Sequence, residues 1–331
     1  MDPLSHAVIG ATAAQSAADA PRLRAAALAG GLAALAPDLD VLIRSAGDPV
    51  LTLEYHRQFT HALAFAPVGA LACALVLFRF VRNRLGFGQT YLACIVGYAS
   101  HALLDACTTY GTEIFWPFSD ARIAWSTIAV ADFLFTGPIV ALVALAAVKR
   151  RARYAHAAAA WAVAYLGFAA FQAARAAAVG AELAASRGHS PTRLEVIPGL
   201  FSSLVLWKVI YDHDGRYYVD AARTGFTAQS VPGQSTAKLD LARHFPWLDP
   251  TSQQAVDVER FRRVARDMLA ADENVPNRIV DLRYSLVPNE IAGFWAIVLD
   301  PSAPHTAHVG FVATRENAPR DALRLVDMLF E

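Results

Sequence analysis

His101 and Asp105, in "YASHALLDACTTYG", stand four residues apart in an apolar run. On a helix that spacing puts both side chains on one face, one turn apart, so a single metal ion can bind both. An aspartate inside a membrane-spanning helix costs about 2.5–3.5 kcal/mol on insertion scales, and ionisable groups kept there usually mark function. For these two residues alone, a hydrogen-bonded pair holding helices together is the plain alternative.

Further ligand types are scattered along the same half of the chain. "HRQFTHA" supplies His56 and His61, which are five apart and so not on one helical face; one reads as a ligand and the other as its orienting partner. "APDLD" supplies Asp38 and Asp40, which beside Pro37 would also suit turn and cap roles. His6 opens the first apolar stretch, where a helix cap is the alternative, and Asp132 lies in "AVADFLF". Imidazoles and carboxylates are the ligand set of Zn²⁺, Mn²⁺ or Fe²⁺. There are more of them than one tetrahedral ion can use, so two or three ions are expected. Paired ions suit cleavage of a phosphate ester by metal-activated water. Asp38 is the candidate base and Arg57 the candidate clamp for an anionic group, although an arginine there could equally snorkel to lipid phosphates. His156, His189, His213, His244, His305 and His308 lie outside this set and read as surface or core histidines.

These residues must be carried by elements that suit a bilayer. Of the 331 residues, 55% are hydrophobic and only 18% charged, which departs from a soluble composition. Four apolar runs, about 62–81, 90–108, 126–148 and 155–179, have the ~20 residues a helix needs to cross. Two shorter stretches, about 4–18 and 24–36, suit a re-entrant or half-buried helical hairpin. After residue 187 the pattern becomes strand-like, in "LVLWKVIYD", "RYYVDAA", "RIVDLRYSLV", "GFWAIVLD" and "HVGFVAT", with helical patterns at about 254–271 and 319–330. The expected fold is a membrane all-α helical bundle (residues 1–187) of about four full spans plus a short N-terminal helical hairpin. A soluble α+β, mainly antiparallel β domain (residues 188–331) follows.

"RFVRNR" (79–84) and "KRRAR" (149–153) are two spans apart and both basic, which assigns them to the cytoplasmic side. Residues 37–61, the loop at 109–125 and the whole C-terminal domain then face outward. His6, Asp38, Asp40, His56, His61, His101, Asp105 and Asp132 consequently gather at one depth, near the outer surface. A transporter would instead carry its polar groups along a path at mid-bilayer.

Zero formal net charge gives no electrostatic reason for a nucleic-acid partner. The three cysteines all lie in apolar runs, so no disulfide framework is expected. The first residues carry an acid rather than a basic n-region and do not read as a cleaved signal peptide. P-loop, G-x-G-x-x-G and G-x-S-x-G motifs are absent, and "HALLD" is not the H-E-x-x-H of a zinc peptidase.

Five motifs in order, "HAVIGA", "PDLD", "HRQFTHA", "HALLDACTTYGTEIFWPFSD" and "VADFLFTG", resemble the family of LexA-binding, inner-membrane-associated metal-dependent hydrolases. The resemblance covers most of residues 1–150. It implies a multi-pass protein of a prokaryotic inner membrane, with His6, Asp38, Asp40, His56, His61, His101, Asp105 and Asp132 at the matching motif positions. The segment beginning "VIPGLFSSLVLW" is similar to the extracytoplasmic part of longer members, although it departs from their commoner Pro-Thr/Gly-Pro-x-Asn type. By ligand type and H-x-x-x-D spacing the site is also similar to zinc-dependent phospholipase C and P1 nuclease. The expected function is hydrolysis of a phosphoester in a lipid or another membrane-associated substrate. The alternative is a non-catalytic metal-binding or partner-recruiting membrane protein. A protein partner or homo-oligomer is left open.

Overall fold

The computed structural model describes residues 1–201, 203–314 and 318–330. The chain forms two compact units: Met1–Leu42 with Tyr55–Ala170, and Ile43–Glu54 with Phe171–Glu331.

The first unit is helical. Helix α1 (Pro3–Ser16) starts where Asp2 accepts a hydrogen bond from the Ser5 amide and Pro3 occupies the first turn, so His6 falls near the helix start. Helix α2 (Leu23–Ala33) is flanked by 3₁₀ turns at Ala20–Arg22 and Pro37–Leu42, the second of which holds Asp38 and Asp40. A short helix α3 (Leu51–Tyr55) and a 3₁₀ turn (Phe59–His61) precede α4 (Ala66–Val81) and α5 (Phe87–Ala106). Helices α6 (Phe133–Lys149) and α7 (Arg153–Ser186), the latter belonging to the second unit from Phe171 on, follow an irregular stretch of turns.

Glycine lets α1, α2 and α5 meet backbone to backbone. A Cβ at Gly10 would lie 2.6 Å from the Gly30 carbonyl oxygen, and one at Gly30 would lie 2.6 Å from that of Gly10. A Cβ at Gly97 would fall on the Gly30 carbonyl itself. Ala14, Ala26, Ala29, Ala33 and Ala93 fill the remaining space. Small residues at crossing points are how helices approach closely in an apolar medium, which accounts for the Gly/Ala-rich sequence of this half.

Among the described residues, two helical stretches, Ala20–Leu42 and Arg153–Ser186, are long and apolar enough to cross a membrane. Leu51–His61 and Ala66–Val81 reach that standard only when taken together, and α6 is a shorter apolar helix. The run expected at 62–81 becomes helical only at Ala66, and the run expected at 126–148 only at Phe133, after the N-cap Asp132. The stretch at about 24–36, read from sequence as too short, lengthens to Ala20–Leu42 because the 3₁₀ turns extend α2 at both ends.

The second unit carries two four-stranded antiparallel sheets, each in sequential order. One holds β1 (Leu194–Pro198), β2 (Leu206–His213), β3 (Arg216–Thr224) and β4 (Ala228–Ala237). Helices α8 (Leu241–His244) and α9 (Gln253–Val264) lead to the other: β5 (Leu269–Ala271), β6 (Arg278–Asp281), β7 (Trp295–Val298) and β8 (Gly310–Ala313). Helix α10 (Ala318–Phe330) closes the unit. Ile197, Ile210 and Val219 of the first sheet pack on Ala270, Val280 and Ala296 of the second, giving a shared core.

The strands foreseen around β2, β3, β6, β7 and β8 are present, but β4 carries no hydrophobic alternation. Its sequence "AQSVPGQSTA" is mostly exposed and includes Pro232, as an edge strand tolerates. The helix expected over 254–271 stops at Val264, because Arg266 and Asp267 take positive φ and turn the chain into β5.

Strand β2 is buried on both faces, which encloses Lys208. Its ammonium donates to Ser285 Oγ and to the Glu290 carbonyl, each at 2.8 Å. Burial nevertheless pushes its pKa down to about 7 from the ordinary 10.5. Between these values the unfolded chain binds the extra proton, so this lysine weakens the fold most at and below pH 7, and the penalty fades as pH rises towards 10.5. Denaturant unfolding of wild type and Lys208→Met at several pH values should therefore show wild-type stability rising over this window, with the rise reduced in the variant.

Candidate metal centre

Four side chains converge in the first unit. His61 Nε2 and His101 Nε2 lie 2.9 Å apart. Asp105 Oδ2 is 3.4 Å from the first nitrogen and 3.3 Å from the second, and Asp38 Oδ1 is 3.5 Å from each. His61, His101 and Asp105 are buried, while the Asp38 side chain is 27% exposed and forms the outer wall of the group.

The hydrogen-bond network assigns the protons on both rings. His101 Nδ1 is 2.6 Å from the Ala34 carbonyl, which can only accept, so Nδ1 carries the hydrogen and Nε2 a lone pair. Thr60 donates its hydroxyl hydrogen to Asp40 Oδ2 at 2.9 Å, so its oxygen accepts from His61 Nδ1 at 3.0 Å. In the neutral ring His61 Nε2 is then also bare. Two lone pairs facing at 2.9 Å, with two carboxylate oxygens beside them, repel unless a cation or a shared proton lies between them.

A second group adjoins the first through a shared residue. One ligand atom each of Asp38, Asp40 and His56 lie within 4.8 Å of one another, as do those of Asp38, His61, His101 and Asp105. Asp38 belongs to both groups. Asp40 is the organiser: Oδ1 contacts His56 Nδ1 at 2.7 Å, and Oδ2 accepts from the Arg57 amide at 3.0 Å and lies 3.2 Å from His61 Nδ1. Carboxylates that fix imidazole orientation in this way are typical of metal sites.

His6 lies beside these groups. Its ring stacks on that of His101 with centroids 3.6 Å apart, its Nε2 is 3.2 Å from Asp105 Oδ1, and neither of its nitrogens has a hydrogen-bond partner. Buried polar atoms are nearly always satisfied. An imidazole left with two unused nitrogens here fits a site built for a cation; the adjoining Asp105 already faces the Met1 ammonium through Oδ1 and Arg57 through Oδ2.

Arg57 is buried, with Nε 3.0 Å from Asp105 Oδ2 and Nη1 donating to Thr108 Oγ1 at 2.7 Å. It sits at φ 66°, a conformation supported by the bond from its amide to Asp40. Its guanidinium lies 5.1 Å from the Tyr110 ring centre, and that of Arg122 lies 5.2 Å from the same ring. Arg122 also donates to the His56 carbonyl at 3.0 Å and pairs with Glu113. Thr60, Thr108, Tyr110, Glu113 and Arg122 thus shape the site although sequence reading did not single them out. Thr108, Tyr110 and Glu113 lie in "TTYGTE", two residues beyond the H-x-x-x-D motif, and Thr60 lies in "HRQFTHA"; their place inside the quoted motifs was the available signal.

Asp132 stands outside both ligand groups. Its Oδ1 accepts from the Leu134 and Phe135 amides at 3.1 Å each, and its Oδ2 accepts from the Tyr165 hydroxyl at 2.7 Å. The residue is the N-cap of α6, a role its position before "FLF" would have allowed. Asp132→Ala is expected to cost about 1–2 kcal/mol of stability through loss of the cap, while leaving metal content unchanged in mass-spectrometric assay.

With ligands of this kind in this order, family relationship becomes informative. Residues 1–176 match the YdjM inner membrane protein family, which is more than half of the chain. The chain belongs to that family. The five motifs quoted above therefore point to the family the chain is in, and this is a membrane protein. It is 39% identical over 109 residues to inner membrane protein YbcI of Escherichia coli (strain K12), a match covering 32% of this chain and 62% of YbcI. The shared stretch is thus less than two thirds of that relative's length. No solved structure matches the chain.

Proposed function

We propose that this protein is a membrane-bound, metal-dependent hydrolase whose centre holds two divalent ions, zinc first among them, and acts on a phosphoester in a lipid or other membrane-associated substrate. The observation that carries the reading is the pair of bare imidazole nitrogens facing each other between two carboxylates. His61, His101 and Asp105 would hold one ion and Asp40 and His56 the second, while Asp38, which belongs to both groups, would serve as the base between them. His6, with its unused nitrogens against Asp105, completes the set.

A divalent ion in such a centre supplies Lewis acidity, which makes water a nucleophile near neutral pH and offsets charge on phosphoryl oxygens. The protein's own residues do the rest. Asp40 fixes the tautomer of His61, and the Ala34 carbonyl fixes that of His101. Arg57 balances Asp105 and holds a positive charge where an anionic group would approach. Asp38, the most exposed of the carboxylates in the two groups, is the group placed to take a proton from an incoming water. The four-span arrangement, the outward-facing site and the extracytoplasmic C-terminal domain belong to the same reading and rest on the basic loops at 79–84 and 149–153.

Burial supports a second reading, a structural or sensing metal site, because His6, His61, His101 and Asp105 are fully enclosed. A screen of phosphodiester and phosphomonoester lipids with detergent-purified protein separates the two. Hydrolysis that chelator abolishes, zinc or manganese restores and Asp38→Asn reduces at least about 100-fold is expected of the enzyme. Bound metal without turnover on any of these lipids would favour the structural site.

A further inference from the structure

The segment between the two halves of the ligand set is built into the other unit. Residues Ile43–Glu54 run from three residues after Asp40 to two residues before His56, and they belong with Phe171–Glu331. Val50 is fully buried there among Leu239, Phe245, Val258 and Phe261, and Leu53 packs on the same cluster.

Arg260 on α9 clamps this segment at its middle and at its C-terminal end. Its Nη1 and Nη2 each donate to Asp48 at 3.0 Å, and its Nε donates to Glu54 Oε2 at 2.9 Å. Nη1 also donates to the buried Asp257 at 2.9 Å, and His308 Nδ1 lies 2.8 Å from the other oxygen of Asp257. Asp48 in turn accepts from the Val50 and Leu51 amides at 3.1 Å each, which starts α3. Asp48, Asp257 and His308 have the spacing of metal ligands, but the Arg260 guanidinium already provides their counter-charge. With its side chain only 10% exposed, Arg260 makes a bidentate pair that solvent screens far less than a surface ion pair.

At its base the loop is closed by the 2.7 Å contact of Asp40 Oδ1 with His56 Nδ1. We infer that Ile43–Glu54 is a strap, and that Arg260 is a positioning residue for the metal centre, holding the turns of Asp38, Asp40, His56 and Arg57 through the chain itself. The inference rests on the metal-centre reading. Its physical basis is entropic: a 12-residue free loop between Leu42 and Tyr55 would leave both ligand turns mobile, and ordering them would cost part of each ion's binding free energy. Anchoring the strap meets that cost during folding. Ion affinity should then depend on contacts made by residues that touch no ligand.

The test uses the full chain in detergent, with zinc affinity measured by competition against a chromophoric chelator and local order by hydrogen–deuterium exchange. Arg260→Met and, independently of charge, Val50→Ala are compared with wild type, with Arg260→Lys, and with a His61→Ala, His101→Ala control. Arg260→Met and Val50→Ala should weaken zinc binding by about 10–100-fold, the range for groups that orient ligands. Exchange should rise in 36–42 and 55–61 but not in α4 or α5, and Arg260→Lys should recover part of the affinity. Folded Arg260→Met or Val50→Ala protein with unchanged zinc affinity would overturn the strap. Should Arg260→Met not fold, Val50→Ala decides. Wild type that binds no zinc would instead remove the metal reading, and unchanged exchange in the two turns would then overturn the strap separately.

Discussion

Replacing His61 and His101 together with alanine is expected to strip zinc from the detergent-purified protein, lowering its affinity by more than about 100-fold, beyond the range for losing an orienting group alone. The two side chains supply both of the bare nitrogens that face each other at 2.9 Å, so the variant leaves Asp38 and Asp105 as the only ligand candidates of that group. It also removes the stacking surface under His6. Metal content by inductively coupled plasma mass spectrometry should fall from two ions per chain in the dinuclear reading. If wild type carries no metal even after reconstitution, a proton shared by the two imidazoles becomes the better account of their contact. Metal retained in the variant would move the centre to Asp38, Asp40 and His56.

The second large effect is expected away from the ligands. Gly97→Val places a branched side chain on α5 where the Gly30 carbonyl sits, and backbone rather than a flexible side chain would have to give way. Overpacking of this kind costs about 3 kcal/mol. Separating α2 from α5 would also pull the Ala34 carbonyl from His101 Nδ1 at 2.6 Å, releasing the tautomer that aims Nε2 at the centre. The variant should therefore lose both thermal stability and zinc affinity. Gly88→Ala is the control: it lies on the same helix with open space around it, and should be neutral or stabilising by up to about 1 kcal/mol from helix propensity. Equal behaviour of the two variants in thermal unfolding would show that the close approach of α2 and α5 does not matter.

Local features were legible where the controlling interactions are local. The four-residue spacing of His101 and Asp105 needed only a helix, and α5 is that helix. The alternation in β2 and β3 and the hairpin turn between them follow from residues a few positions apart. Asp132 was read from sequence as a member of the ligand set; its contacts with Leu134, Phe135 and Tyr165 show the cap role that its place before an apolar run also allows. The edge strand β4 was invisible because an exposed edge imposes no hydrophobic period.

By itself the sequence determined the chemical inventory: a set of imidazoles and carboxylates within an apolar, small-residue half, followed by a strand-rich half. Residue type and short-range periodicity are enough for that. Only the tertiary structure decided that His61 and His101 turn bare nitrogens towards each other, because those tautomers are set by Asp40, Thr60 and the Ala34 carbonyl. It also decided that Asp38 is shared between two ligand groups and that Ile43–Glu54 joins the second unit through Arg260, a residue more than two hundred positions from Asp48. Proton placement and loop anchoring depend on partners distant in the chain, and no local pattern encodes them.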